Sequence, residues 1–306
     1  MAFPLPVEEE VALTGDPALA AAEHSAGPRR RRVRRRHLPW FSGTILLVFV
    51  ITGVFAPLLA PYDPETLDLG ASMQPPWFAG GSSDHILGTD DLGRDVLSRL
   101  IYGARVSLLV AIAVVVLAGI VGVTIAVLAG YKGGRLDAFL MRTTDASLAF
   151  PVILLAIVIV GVFGASTLNV IIILAVAGWP AYARVLRSEV LRLKSQDFIT
   201  QARAMGGGLR WVILRHILPN IVPTLLVLAS LQVGLAIIAE GSLSFLGLGV
   251  PPPAPSWGGM LSDGRENIAD AWWLPTMPGI ALSLVVLSAN MMGDWLRVNN
   301  DPTTKR

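Results

Sequence analysis

The sequence contains no cysteine and few charged residues. Its 306 residues therefore hold no disulfide framework, no cysteine-based zinc site and no thiol nucleophile. Charged residues make up 15% of the chain and hydrophobic residues 53%, whereas an ordinary soluble domain is roughly 25% charged. The four histidines are scattered and predict no metal cluster: His24, His37, His85 and His216. This composition indicates a protein of the lipid bilayer.

Motifs for chemistry are also absent. The sequence lacks the Gly-x-x-x-x-Gly-Lys-Ser/Thr loop that cradles nucleotide phosphates, and it lacks the paired helical histidines of metalloproteases. No histidine lies inside a long apolar run, so a membrane-embedded enzyme would have no histidine and acid pair to use. We therefore expect no catalytic residue, no metal and no bound cofactor in this chain.

Long apolar runs are what the sequence does contain. A helix that rises about 1.5 Å per residue needs roughly 20 residues to cross ~30 Å of hydrocarbon. The runs predict six transmembrane helices, at 41–60, 106–130, two short ones between 145 and 184 that turn at 164–169, 217–239, and 276–296. The predicted fold class is an all-α membrane protein.

Basic residues set the predicted orientation, because loops rich in Lys and Arg stay on the cytoplasmic side. With both termini cytoplasmic, that side holds seven basic residues before the first span, three in 131–144, seven in 184–215 and three after the last span. The remaining four lie outside: Arg94, Arg99, Arg105 and Arg265. We interpret the arginine-rich run 29–37 as a topology anchor that touches anionic lipid, and not as a nucleic-acid site.

The predicted organisation follows from these spans. Residues 1–40 form a disordered, basic cytoplasmic tail, 41–61 the first transmembrane helix, and 62–104 an extracytoplasmic loop with an amphipathic helix. Residues 105–298 hold the other five spans, an internal loop at 188–219 and an outer loop at 250–275, and 299–306 form a cytoplasmic tail. In the extracytoplasmic loop, we expect a cap at Thr89 or Asp90 and two acid–base pairs four residues apart: Asp90 with Arg94 and Asp95 with Arg99.

The internal loop carries a basic segment that glycines interrupt, QARAMGGGLRWVILRHILPN at 201–220. Four residues at spacings of four, three and four predict one apolar stripe on a surface helix: Phe198, Ala202, Met205 and Leu209. The glycines at 206–208 allow a turn with positive φ. A second short helix is predicted to run to Leu218, and Pro219 separates it from the fifth span. The pattern fits a docking hairpin for a soluble partner, or a helix that rests among lipid headgroups.

This segment resembles the EAA loop of ATP-binding-cassette importer permeases, whose pattern is Glu-Ala-Ala, three residues, Gly, nine residues, Ile, any residue and Leu-Pro. The matching positions in this chain are Thr200, Gln201 and Ala202, then Gly206, His216, Leu218 and Pro219. The second Ala, the Gly and the Leu-Pro are present. The Glu and the first Ala are not, so an ion-pair role of that Glu does not carry over.

Two further stretches, 85–108 and 239–261, resemble the dipeptide and oligopeptide permeases of the DppC and OppC type. The resemblance implies a non-catalytic subunit of an ATP-driven peptide importer in the bacterial inner membrane, where it forms half of the translocation pathway. The implied partners are a second permease of the DppB or OppB type, two cytoplasmic ATPases that bind ATP and Mg²⁺, and an extracytoplasmic solute-binding protein. Carriers of nickel or glutathione belong to the same subfamily and stay open as alternatives.

The resemblance also implies a site. The coupling helix of the EAA loop docks on an ATPase, and the corresponding residues here are Phe198, Thr200, Gln201, Ala202, Arg203, Met205, Gly206, Leu218 and Pro219.

Glu240 is an acid inside the fifth predicted span, where an ionisable side chain costs at least ~2.5 kcal/mol unless it faces protein or water. It either lines the pathway or contacts the second permease, or it forms hydrogen bonds locally near the outer end of the span. Apart from Glu240 the spans offer almost no ion or proton ligands. A secondary transporter, which usually needs such ligands, is therefore a weaker alternative.

Overall fold

The computed structural model describes the chain from residue 39 to residue 300, with side chains to residue 299. The predicted tails, 1–40 and 299–306, fall almost entirely outside these described residues. Between residues 39 and 300 the secondary structure is helical, and the one β-bridge there pairs Thr89 with Asp95. The predicted all-α class is therefore confirmed for the described part of the chain.

Eleven α-helices lie within the described residues. They are α1 (Trp40–Val54), α2 (Ala56–Leu59), α3 (Val96–Lys132), α4 (Gly134–Ala149), α5 (Val152–Phe163), α6 (Thr167–Lys194), α7 (Asp197–Ala204), α8 (Leu209–Val212), α9 (Leu218–Phe245), α10 (Trp257–Gly264) and α11 (Trp273–Asn300). A π-helical segment, Ile213–Ile217, joins α8 to α9, and short 3₁₀ turns occur at Leu69–Ala71, Trp77–Ala79 and Arg265–Asn267.

Four helices are long and apolar enough to cross a membrane: α3, α6, α11 and the continuous helix Leu209–Phe245. α4 and α5 together would make a fifth, but they are bent by 83° at the break between them. α1 has 15 residues and rises only about 22 Å, short of the ~30 Å of hydrocarbon. By length and composition, the described residues therefore provide four or five spans where the sequence predicts six.

The amphipathic helix predicted within the extracytoplasmic loop is not a separate element. α3 begins at Val96 and runs without a break for 37 residues, so the helix of the second span extends well outward of 106–130. Its cap is Asp95, whose carboxylate accepts the backbone N–H of Ser98 at 2.7 Å. The prediction that Thr89 or Asp90 caps this helix is wrong. Asp95 lies immediately before the helix, where a carboxylate can satisfy an N–H that has no partner within it.

Asp90 instead organises the turn that precedes α3. Its carboxylate accepts two backbone N–H groups of that turn and the Nε–H of Arg94 at 2.7 Å. The predicted pair of Asp90 and Arg94 is therefore confirmed, although it lies on a turn and not on a helix. The predicted pair of Asp95 and Arg99 is wrong, because Asp95 contacts His85 at 3.0 Å and Arg99 lies 3.5 Å from Asp90.

Two buried apolar clusters hold the helices together, one toward each end of the long helices. α3 and α6 form the most extensively packed pair. They come so close at Gly122 that an added Cβ would lie 2.4 Å from the Cβ of Tyr182, so glycine is needed there. The cluster nearer to the internal loop includes Ile199, Val212 and Ile217. It fixes the loop against the ends of α3 and α6.

Candidate functional site

The internal loop folds as a hairpin with glycine at the reversal. α7 ends at Ala204, and Gly206 adopts φ +87°. Gly207 N–H donates to the Ala202 carbonyl and Gly206 N–H to the Arg203 carbonyl, both at 3.0 Å. This pair of bonds is the Schellman arrangement, which satisfies the last carbonyls of a helix. The predicted turn with positive φ is confirmed.

The second arm of the hairpin is longer than predicted. α8 passes through the π-helical segment into α9, so Leu209–Phe245 is one continuous helix. Leu218 N–H bonds to the carbonyl of Ile213, five residues back. Pro219 follows the π-helical segment directly, and the helix continues through it; a local π-helical adjustment is one way in which a helix accommodates a proline. The prediction of a separate short helix that ends before Pro219 is therefore wrong.

The predicted apolar stripe of α7 is split between two faces. Ala202 is buried, whereas Phe198 is 40% exposed and Met205 79% exposed. Met205 already belongs to the turn, so the helical spacing from Phe198 no longer holds there. The buried partner of Ala202 is Ile199, one turn earlier, which sequence reasoning missed. The signal that could have found it is the three-residue spacing of these two apolar side chains.

Two aromatic side chains cover the histidine that takes the Ile position of the motif. His216 lies with its ring centroid 4.7 Å from that of Trp211 and 6.1 Å from that of Phe198. Its Nε2 is buried and has no hydrogen-bond partner among the described residues. The exposed parts of Phe198, Met205, Leu209 and Trp211 therefore form an apolar surface around the hairpin, which we call the hairpin surface.

The polar residues of the predicted site also point in two directions, either out to the surface or back toward the core. Thr200 and Gln201 are exposed, so no carboxylate stands where the motif has Glu. Arg203 turns back into the chain, where its Nε–H donates to the hydroxyl of Tyr131 at 3.0 Å. Lys194 donates to the backbone carbonyl of Tyr131 at 2.7 Å. Tyr131 is a residue of this site that sequence reasoning missed.

Glu240 is enclosed by this chain's own helices. The residue is fully buried, and its carboxylate accepts hydrogen bonds from Ser107 on α3 at 3.1 Å and from Ser244 on α9 at 2.8 Å. The hydroxyl of Ser107 in turn accepts the backbone N–H of Trp257 at 3.4 Å. A direct contact with a pathway or with a second subunit would require these helices to separate.

The family of the chain follows from comparison with known proteins. Residues 122–306 match the family described as "Binding-protein-dependent transport system inner membrane component". The chain belongs to this family. Residues 29–76 of the permease also match "N-terminal TM domain of oligopeptide transport permease C", which confirms the resemblance seen in the three sequence stretches. The permease is a multi-pass membrane protein, and membership of this family implies that it acts in a transport complex with other subunits.

Named relatives align along most of the permease. A "Di/tripeptide transport system permease protein DppC" of Pseudomonas aeruginosa is 42% identical and covers 85% of this chain and 86% of its own length. A "Glutathione transport system permease protein GsiD" of Pectobacterium atrosepticum is 40% identical and covers 90% of both chains. A "Dipeptide transport system permease protein DppC" of Haemophilus influenzae is 38% identical, with coverages of 85% and 89%.

Proposed function

We propose that the permease is the DppC-like subunit of an ATP-driven peptide importer in the bacterial inner membrane. It forms half of the translocation pathway beside a second permease, and it receives peptides from an extracytoplasmic solute-binding protein. It hydrolyses no ATP itself, because ATP and Mg²⁺ are bound by two cytoplasmic ATPases. The names of the relatives support di- or tripeptides as the cargo, and the GsiD relative makes glutathione, itself a peptide, the second candidate.

A six-span topology with both termini in the cytoplasm is part of this proposal. α1 and α2 supply the first span, and the bent pair α4 and α5 supplies the third. The structure supports this topology through the two ends of the bundle. Lys194 and Arg203 both contact Tyr131, and all three are predicted to be cytoplasmic. Arg94, Ala165 and Asp263, all predicted to be outside, line one cavity.

The proposed coupling of the permease to the ATPases rests on the hairpin surface. Phe198 and Met205 project from a short loop whose opposite face is buried in the core. Exposed apolar residues on a rigid support are typical of a protein-binding surface. This surface inserts into a groove on a cytoplasmic ATPase. Closure of the ATPase pair then displaces α7 and rocks the long helices. Thr200, Gln201 and Gly206 are exposed on or beside this surface, and Ala202 is buried behind it. Leu218 is half-buried and Pro219 is exposed, both in the second arm of the hairpin.

Co-purification tests this function. The permease should be isolated with its second permease and ATPases, and peptide-loaded binding protein should stimulate ATP hydrolysis and peptide uptake in proteoliposomes. Replacing Phe198 and Met205 together by alanine should reduce ATPase association at least about tenfold, because both apolar anchors are lost. The matched control is Leu69→Ala, which removes an exposed leucine predicted to lie outside. Normal ATPase association of the double variant would refute the coupling assignment.

A further inference from the structure

One side of α11 carries a continuous row of exposed residues. They recur every three or four positions, so they lie on one face of the helix: Trp272, Thr276, Ile280, Leu284, Leu287 and Met291. Trp272 precedes α11, but its carbonyl accepts the Thr276 N–H at 3.3 Å, so the helical spacing already holds there. From Trp272 to Met291 the row rises about 28 Å, close to the ~30 Å of hydrocarbon in a bilayer. Trp272 therefore marks the level at which the hydrocarbon ends.

The side chains of this row fit lipid better than a second helix. Interfaces between transmembrane helices are enriched in small residues that let two backbones approach, and the row contains no glycine, alanine or serine. The side of α11 that packs on α9 does carry such a residue, because a Cβ added to Gly293 would lie 2.9 Å from the Oγ of Ser230. Large aliphatic side chains on the exposed face are therefore suited to contact acyl chains.

Trp272 joins this row to the extracytoplasmic loop before α3. Its ring centroid lies 6.3 Å from that of Phe78, and Phe78 and Trp77 are 57% and 61% exposed. The next residue, Trp273, is buried and donates its indole N–H to the Thr89 carbonyl at 3.2 Å. Two consecutive tryptophans thus hold the loop at the end of α11, Trp273 from the core and Trp272 from the exposed face.

The turn that presents Trp77 and Phe78 has a fixed shape. The Trp77 N–H donates to the Ile86 carbonyl at 3.2 Å. A Cβ added to Gly81 would overlap the carbonyl of Pro75, so glycine is required where the turn closes. Exposed apolar side chains that form a contiguous patch mark an interaction surface, and tryptophan rings favour the headgroup region of a bilayer.

We propose that Trp77, Phe78 and Trp272 form an aromatic anchor that lies in the lipid headgroup region beside α11 and holds the extracytoplasmic loop on the membrane surface. The charged residues that follow the turn and precede Trp272 are Asp84 and Asp270, and both are exposed. Because they are acids, the anchor needs no anionic lipid. The assignment to the outer leaflet rests on the proposed topology, whereas the lipid contact itself does not.

Fluorescence quenching tests the anchor, because the chain has no cysteine of its own. Ala79, the exposed last residue of the turn, is replaced by cysteine and labelled with bimane, which keeps all three aromatic rings. The complex with cysteine-free partner subunits is placed in phosphatidylcholine nanodiscs. Phosphatidylcholine with a nitroxide near the top of its acyl chain should quench this label more strongly than aqueous iodide does. The control is Ser83→Cys, an exposed residue of the same loop, for which iodide should be the stronger quencher.

Removing the tryptophans should release the turn from the lipid. In the Ala79→Cys background, replacing Trp77 and Trp272 together by alanine should reduce quenching by the nitroxide lipid at least about twofold, because both interfacial rings are lost. Trp77→Phe, which keeps a ring, should retain most of the quenching and serves as the variant with the least disturbance. Leu69→Ala removes an exposed leucine of the same loop outside the anchor and should change nothing.

Three outcomes would overturn the proposal. Lipid quenching that is no stronger at Ala79→Cys than at Ser83→Cys would show that the turn lies in water. Weak quenching by both the lipid and iodide would show that another subunit covers the turn. Lipid quenching that survives the loss of both tryptophans would show that they do not hold the turn at the membrane. Peptide uptake is a separate measurement, because a complex that transports another solute would still give the expected quenching pattern.

Discussion

Arg203 on α7 donates its Nε–H to the hydroxyl of Tyr131 at the end of α3, over a distance of 3.0 Å. The guanidinium also lies over the ring, with Cζ 4.7 Å from the ring centroid. Lys194, the last residue of α6, donates to the backbone carbonyl of Tyr131. One aromatic residue therefore joins the proposed coupling helix to the ends of two long helices, so a displacement of α7 acts on both.

Removing the hydroxyl of Tyr131 should weaken coupling without weakening docking. Tyr131→Phe loses one hydrogen bond, worth about 1 kcal/mol, and should reduce binding-protein-stimulated ATP hydrolysis by up to about fivefold. ATPase co-purification should stay normal, because Tyr131 is buried and does not belong to the hairpin surface. Tyr102→Phe, near the other end of α3, is the matched control. Equal losses in both variants would argue against a specific link.

Tyr131 and Arg203 also show where sequence reasoning stops. The glycine turn at Gly206 was predictable because it depends on a conformation that glycine itself favours. The contact between Tyr131 and Arg203 joins residues 72 positions apart, and no local spacing indicates it. Ile199 differs, because its three-residue spacing from Ala202 is a local signal, although it packs in one cluster with Val212 and Ile217 of the opposite arm of the hairpin.

The start of α3 gives a second example of this limit. Several acids near residues 89–95 could cap a helix, and the choice between them depends on contacts outside the segment. Asp90 is held by Arg94 in a turn, which leaves Asp95 free to cap α3. The positions of the apolar segments were easier to predict than the number of helices that cross the membrane. α1 is apolar but short, and the pair α4 and α5 is apolar but bent.

Impermeant thiol labelling in intact cells should establish the topology. Ser83→Cys, in the loop before α3, should be labelled, whereas Ser195→Cys, between α6 and α7, should be protected until the cells are opened. Both side chains are exposed in the structure. Ser256 would be a poor choice for the outer site because it is 2% exposed and caps α10. The reverse labelling pattern would contradict the proposed orientation with the termini inside.

Substitutions at Glu240 should separate a structural role from a transport role. Glu240→Gln keeps the shape but only one of the two acceptor oxygens, so one serine hydroxyl must accept from the amide NH2 group instead of donating; we expect unfolding of the purified complex to change by about 1 kcal/mol or less. Glu240→Leu leaves both hydroxyls without this partner and should cost about 1–3 kcal/mol. Thermal unfolding and peptide uptake are measured together. Lost uptake in a stable Glu240→Gln complex would instead favour the pathway or partner role that the sequence suggested.

Gly206→Val tests the hairpin itself. Gly206 has no neighbouring atom within 4 Å of an added Cβ, so valine meets no steric clash there. The cost is conformational, because φ +87° is an outlier for a β-branched residue. Gly208→Ala is the control, since Gly208 has φ −68° and equally open surroundings. We expect Gly206→Val to insert normally and lose ATPase co-purification or stimulated hydrolysis, while Gly208→Ala keeps both. A helix that only rests in headgroups predicts normal coupling in both variants, and that result would reject the hairpin surface as the docking site.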